Sequence, residues 1–349
     1  MTIIIDSLIF SLQKAGGISS YWFNLCKRLI TSEYSVNFIE HKFNKNIEHE
    51  KLMNFNRSFF STRSEFKPFN RFLNVNTKAI TYKFIFHSSY YRITKNINAV
   101  NVVTIHDFIH EKYFRGLRKW IHVYQKSRAI KFADVIITVS NNTKTDLLEH
   151  YPNIKSKDVR VVYNGVSNDY FPLEDNKRFL SNTFLFVGSR QMYKNFNFLV
   201  EILHKIDNFN LIIVGNPLNK NEIAFLNKML KNRWQNFTYL NNFELNNLYN
   251  SVFALAYVSS YEGFGIPLLE SMKAGCPFIA IKKSSIPEIA GDAGVLIDSL
   301  TLPAFNSAIN KIIEFRHQII QKGYSRAKLF SWDKNYDETI KIYQEYLHK

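Results

Sequence analysis

The stretch FLFVGSRQMYKNFNFLVEILHKIDNFNLIIVG, residues 184–215, decides the fold. It opens on the apolar run Phe184–Val187 and closes on Leu211–Val214, with a polar loop and a longer helix-period segment between them. Continuous apolar strands joined through a helix imply parallel strands in a sheet covered on both faces. The same rhythm runs outward in both directions. Toward the N-terminus, strands are expected at Thr2–Ile5, Val36–Ile39, Phe84–His87, Val102–Ile105, Val135–Val139 and Val159–Val162. Toward the C-terminus they are expected at Phe237–Leu240, Val252–Val258, Phe278–Ala280 and Gly294–Ile297. Two doubly wound α/β domains follow, with ligands at the carboxyl ends of the strands. A length of 349 residues suits two cores better than one, because single domains cluster near ~100–150 residues.

Periodicity lapses after Asn164-Gly165-Val166, in SNDYFPLEDNKR with its Pro172, so a linker is expected at about 167–180 and the domains at 1–168 and 169–331. The last segment, SWDKNYDETIKIYQEYLHK, offers Ser331 as a cap and sets Tyr336, Ile340, Tyr343 and Tyr346 at helical spacing. A closing helix over 332–349 is expected, returning to the first domain.

A hydrophobic fraction of 46% with 21% charged residues, 12 Gly and 8 Pro describes a folded globular protein. Cys26 and Cys276 lie far apart without metal-ligand spacing, which suggests neither a disulfide framework nor a zinc site and points to a reducing compartment. The opening MTIIIDSLIF reads as a buried strand, not a signal peptide, and no apolar run nears the ~18 residues of a membrane span. The expected location is cytoplasmic.

The formal charge of +16 is uneven: residues 1–170 carry 25 Lys/Arg against 13 Asp/Glu, and residues 171–349 carry 20 against 16. Such a field suits nucleic acid, an anionic membrane surface or a phosphorylated acceptor alike. Between 51 and 83, Lys51, Arg57, Arg63, Lys67, Arg71, Lys78 and Lys83 face only Glu65 and alternate with Phe55, Phe59, Phe60, Phe66, Phe69 and Phe72. That mixture fits peripheral contact with the inner face of the cytoplasmic membrane, or a polyprenyl-diphosphate acceptor. It fits two ordinary helices with solvated cations equally well. There is no Asp-x-Asp motif and no carboxylate–histidine cluster, so no divalent metal is expected.

SSYEGFGIPLLESMKAGCP, residues 259–277, carries the most chemistry. Pro267 favours a helix start, which makes Glu262-Gly263-Phe264-Gly265 a loop feeding a helix N-terminus, with Glu270 in the early turns. The glycines admit close approach of a ligand, and free amides with the helix dipole favour an anion such as a leaving diphosphate. An ionised Glu accepts from sugar and ribose hydroxyls. Alone, the stretch reads equally as a glycine turn with two solvated glutamates.

After the strand FLFV come Gly188, Arg190 and Lys194, with Asn195 as a cap; Arg offers phosphate a bidentate fork and Lys a point charge. Gly16-Gly17 precedes a helix and permits either a plain turn or exposed amides. His106-Asp107 ends the strand VVTI, where His106 either faces a ligand or bonds Asp107. Ser140 is either a cap or a ligand contact, and Asn164-Gly165 a hinge-side element or a turn.

The Glu262-x7-Glu270 spacing, EGFGIPLLE, is similar to the signature of retaining GT-B glycosyltransferases of family GT4. The resemblance extends through SSIPEIAGDAGVLID, FLFVGSRQMYKN, LIIVG with its Gly215, ELNNLY, VVYNGV, ITVSNNTK, TIHD and AGGIS, in family order over nearly the whole chain, though not over 41–83. It implies two Rossmann-like domains facing across a cleft, acceptor-binding first and nucleotide-sugar-binding second. It places the transferred sugar on Glu262, the ribose on Glu270, the diphosphate on Arg190, Lys194, Gly188 and the Gly263–Gly265 loop, and His106 with Gly16-Gly17 near sugar and acceptor. The implied reaction moves a hexose, mannose favoured, from a nucleoside-diphosphate sugar to a glycan or lipid-linked saccharide of surface polysaccharide, without metal or other cofactor. GDP-sugars are favoured over UDP-sugars, since the wording resembles bacterial mannosyl- and deoxyhexosyltransferases. The rivals are a basic nucleic-acid-binding protein, which lacks any helix-turn-helix, zinc or RNP signature, and a dehydrogenase, which lacks G-x-G-x-x-G.

Overall fold

A computed structural model of the chain describes residues 1–41, 46–55, 60–64, 71–154, 157–173 and 180–348. The chain divides into two compact units, Met1–Asn164 with Trp332–Lys349, and Gly165–Ser331.

The first unit holds β1 (Thr2–Asp6), β2 (Ser35–His41), β3 (Phe60–Ser64), β4 (Phe84–Ser88), β5 (Ala99–Ile105), β6 (Val135–Thr138) and β7 (Asp158–Val161). They form a sheet ordered β3-β2-β1-β4-β5-β6-β7, with every pair parallel. The winding reverses between β1 and β4, because the chain builds outward from β1 on one side and from β4 on the other. Its helices are α1 (Ile9–Leu12), α2 (Gly17–Ile30), α3 (Ile47–Phe55), α4 (Ile109–Tyr113), α5 (Leu117–Phe132) and α6 (Asn141–His150). Ile3, Ile5, Phe84, Ile85, Ile105, Ile136 and Ile137 are fully buried, which is why these strands read as unbroken apolar runs.

The second unit repeats the plan with β8 (Leu180–Val187), β9 (Asn210–Val214), β10 (Trp234–Phe237), β11 (Val252–Tyr257), β12 (Phe278–Ile281) and β13 (Val295–Ile297), ordered β10-β9-β8-β11-β12-β13. Here the reversal falls between β8 and β11. Its helices are α7 (Phe196–Lys205), α8 (Lys220–Leu230), α9 (Asn242–Ser251), α10 (Ile266–Ala274), α11 (Ile286–Ala290) and α12 (Leu302–Ala327). The last helix, α13 (Trp332–His348), belongs to the first unit and buries Trp332, Ile340, Ile342 and Tyr343 there. Each such side chain contributes about 1.5–3 kcal/mol of transfer free energy. The Tyr343 hydroxyl lies 2.6 Å from His87 Nδ1 on β4.

One strand expectation and one pair of expected helices need correction. β10 lies three residues earlier than Phe237–Leu240, because Asn241 and Glu244 form a capping box that starts α9 and claims the intervening residues as its approach. The basic, Phe-rich stretch contains α3 and β3, which periodicity did not expose. Of its residues, Arg57, Phe59, Glu65, Phe66, Lys67 and Phe69 lie outside the described residues, as does 174–179 of the expected linker.

Candidate active site

The second unit gathers most of the expected residues at its switch point, where the carboxyl ends of β8 and β11 lie side by side. β8 leads into Gly188, whose φ of +128° only glycine adopts readily. A Cβ on Gly215, at the end of β9, would sit 2.3 Å from the Gly188 carbonyl oxygen. Gly188 is therefore fixed by its backbone conformation and Gly215 by how closely the two strand ends approach.

Arg190 and Lys194 do not stand as bare cations. Arg190 Nε donates to Glu222 Oε1 at 2.7 Å, and a second nitrogen reaches Glu222 Oε2 at 3.3 Å and the Pro217 carbonyl at 3.0 Å. The fork is thus held by a carboxylate that also closes the capping box of α8. Arg190 Nη1 remains buried without a hydrogen-bond partner. Lys194 Nζ lies 2.5 Å from Glu262 Oε1, and both side chains are nearly buried. The ammonium also stands over the Tyr193 and Tyr257 rings, at 5.5 and 5.6 Å from their centroids. Asn195 adopts a left-handed conformation and caps nothing; its amide donates to the Val258 carbonyl and to Ser260 Oγ, each at 2.7 Å, tying the two loops together.

The loop after β11 is fixed from behind by two serines. Ser284 Oγ accepts from the Glu262 amide at 2.9 Å and donates to the Glu262 carbonyl at 2.5 Å. Ser285 Oγ reaches the carbonyls of Glu262 and Phe264, each at 2.9 Å. Ser284 holds this position with φ of 54°, a strained region for a residue with a side chain. Phe264 is buried with its ring edge-on to Phe330, so this expected site residue could offer a ligand only its backbone. Gly265, with φ +110°, starts α10, and Pro267 lies in its first turn.

Glu270, one turn into α10, receives a hydrogen bond from the Tyr249 hydroxyl at 2.9 Å. Burial pushes its carboxyl up to about 7, against the pull of Tyr249 and Tyr170. Tyr257 links the two glutamates electrostatically: burial raises its hydroxyl well above the usual value, and the charges of Glu262 and Glu270 raise it further. Tyr249 is positioned by α9, whose Asn242, Asn246 and Asn250 fall on one face and grip residues 169–173. Asn242 Nδ2 donates to Asp169, while the amides of Phe171 and Leu173 donate to Asn246 and Asn250.

The remaining expected residues belong to the first unit. Gly16 has extended backbone, φ 162°, so no left-handed turn demands glycine there; Gly17 begins α2, whose N-terminus has no side-chain cap. His106 follows β5 and packs edge-on against Tyr21 of α2 at 4.9 Å. Its Nε2 is buried and unpartnered, and burial, then the Lys126 charge, hold the ring neutral down to about 3. Asp107 instead accepts from the Ile109 amide. Ser140 caps α6, accepting from the Thr143 amide, and Asn164 and Gly165 flank the division between units. At the first unit's own switch point, Asp6 on β1 accepts from Arg92 and Ser88 and meets His41 Nε2 at 2.7 Å. Burial raises the Asp6 carboxyl, but Arg92, His41 and Ser88 together hold it below the ordinary range. This network, Tyr249, Tyr257, Glu222 and the two serines escaped the sequence reading. Ser284 and Ser285 stand at the start of α11, but their hydroxyls serve the neighbouring loop and cap nothing. Among the described residues, no group of three or more His, Cys, Asp or Glu is placed to hold a metal ion.

Two parallel doubly wound units with these strand-end loops constitute the GT-B fold of glycosyltransferases. Sucrose-phosphate synthase from Thermosynechococcus elongatus superposes with a TM-score of 0.75 at 18% identity, over 100% of this chain and 99% of that one. Anabaena HepE in complex with UDP and glucose superposes with 0.72 at 15%, over 99% and 100%. A family model described as Glycosyltransferase Family 4 matches residues 15–170, and one described as Glycosyl transferases group 1 matches 174–326. The chain belongs to this glycosyltransferase family. It is 23% identical to the O-antigen chain mannosyltransferase B of Escherichia coli, over 72% of this chain and 70% of that protein. It is 28% identical to the O-antigen chain mannosyltransferase RfbU of Salmonella typhimurium, over 60% of each.

Proposed function

We propose that the protein transfers a hexose, mannose favoured, from a nucleoside-diphosphate sugar, GDP favoured, to a hydroxyl of a glycan or lipid-linked saccharide in surface-polysaccharide synthesis, with retention of configuration. The Lys194–Glu262 pair at the β8–β11 switch point carries this reading. An ammonium has three donors; one is engaged by Glu262, which leaves two for phosphate oxygens, beside the unpartnered Nη1 of Arg190. The Glu262 carboxylate keeps acceptor capacity for sugar hydroxyls, and Glu270 for the ribose. In the reaction the bond from the anomeric carbon to the diphosphate oxygen breaks while the acceptor oxygen bonds to the same face. The acceptor proton passes to the departing phosphate. Lys194, Arg190 and the α10 N-terminus offset the charge that develops, which is the role a metal ion plays elsewhere. His106 and the Gly16-Gly17 terminus are assigned to the acceptor side.

A UDP-sugar is the second reading, favoured by the likeness to a protein solved with UDP and glucose. Thermal shift against GDP-, UDP-, ADP- and dTDP-sugars separates the two, because a selective ligand raises the melting temperature by mass action. The site assignment fails if Glu262→Ala and Arg190→Ala bind the selected donor as the parent chain does.

A further inference from the structure

Helix α5 presents an unpartnered face. Its sequence, LRKWIHVYQKSRAIKF, contains no Asp or Glu. Leu117, Trp120 and Tyr124 are 75%, 71% and 61% exposed, in a protein that otherwise buries most of its large side chains. At about 100° per residue, these three fall with Arg128 and Lys131 inside an arc of roughly 80°. Arg128 spends its guanidinium on the Phe72 carbonyl, which brings the exposed Leu73 beside the same face. Lys131 and Arg115 are exposed at its two ends, and Lys131 stands over the ring of the exposed Phe132.

Exposed indole, phenol and leucine on a helix whose only charged side chains are cations match the region where lipid headgroups meet acyl chains. There aromatic rings settle at headgroup depth and Lys/Arg attract anionic lipids. A second copy of the chain is a poorer occupant, because it would bring the same positive charge to the contact. We propose that the Leu117–Trp120–Tyr124 face of α5, with Arg115 and Lys131 at its margins, seats the first unit on an anionic lipid bilayer. The inference deepens the reading of a lipid-linked acceptor and moves the membrane contact from residues 51–83 to α5.

Co-sedimentation of the full chain with vesicles of phosphatidylglycerol and phosphatidylethanolamine, against vesicles of phosphatidylcholine alone, tests it. The parent chain is expected to bind only the anionic vesicles, the Trp120→Ser/Tyr124→Ser double variant roughly tenfold more weakly, and Lys131→Glu roughly fivefold more weakly. These side chains are exposed, so the variants should keep the parent melting temperature and its shift by nucleotide sugars, which separates failure of this contact from failure of the donor site. Equal binding to both vesicle types, or a double variant that sediments like the parent, overturns the proposal. So does a parent dimer that the double variant abolishes while neither chain binds vesicles.

Discussion

Ser284 holds Glu262 by both of its backbone groups, accepting from the amide and donating to the carbonyl through a single hydroxyl. The contact is made from a left-handed conformation that a serine adopts only under strain. Ser284→Ala should therefore lower kcat by about 10- to 100-fold through a loosened Glu262, and cost about 1–2 kcal/mol in denaturant unfolding. Ser284→Gly relieves the strain and should recover much of that stability without recovering kcat. Unchanged kcat in the alanine variant refutes the hook.

The Lys194–Glu262 pair predicts asymmetric effects. Removing Glu262 leaves a nearly buried ammonium unpaired, so Glu262→Ala should lose about 2 kcal/mol of stability, recovered in part by adding Lys194→Ala. Strictly additive losses in that cycle, read by urea unfolding, would mean the two side chains do not interact.

Glu270 gives a pH dependence of defined sign. Its carboxyl is raised from 4.5 unfolded to about 7 folded, so the native state holds the proton more tightly and stability falls as pH rises through that window. The full shift would amount to about 3 kcal/mol, but the side chain is partly open, which reduces the expected loss to about 1–2 kcal/mol. Glu270→Gln should flatten the slope of melting temperature between pH 5 and 8, melting above the parent at pH 8. Donor affinity of the parent should rise over the same interval as the carboxylate forms, and a flat profile would deny Glu270 its role at the ribose.

Gly215→Ala should be far worse than an ordinary glycine replacement. Its Cβ would press on the Gly188 carbonyl, forcing the loop that carries Arg190 and Lys194 away from the chain leaving β9. Weakened donor binding by calorimetry, with a stability loss of about 2 kcal/mol or more, is expected; an alanine variant with parent affinity would show that the two are free to separate.

The alternation of strands and helices was legible because parallel strands buried on both faces leave unbroken apolar runs, as at Phe184–Val187 and Val252–Tyr257. β10 was misplaced because Trp234–Phe237, with its exposed Gln235 and half-buried Asn236, leaves no such run. Within the site, glycines, the helix-starting proline and the acid–cation types were readable along the chain. The partners were not: Glu222 lies 32 residues from Arg190, Tyr249 lies 21 from Glu270, and Ser284 lies 22 from Glu262. Such pairings are set by strand order, which periodicity does not reveal.

The sheet of the first unit is closed by α13, whose Tyr343 reaches His87 and whose Trp332 lies edge-on to Tyr21. A ribosome therefore delivers the second unit whole before it supplies the final piece of the first. Throughout that interval Tyr21 and His87 lack their cover, so nascent chains halted before residue 332 should be clients for chaperones and targets for proteases.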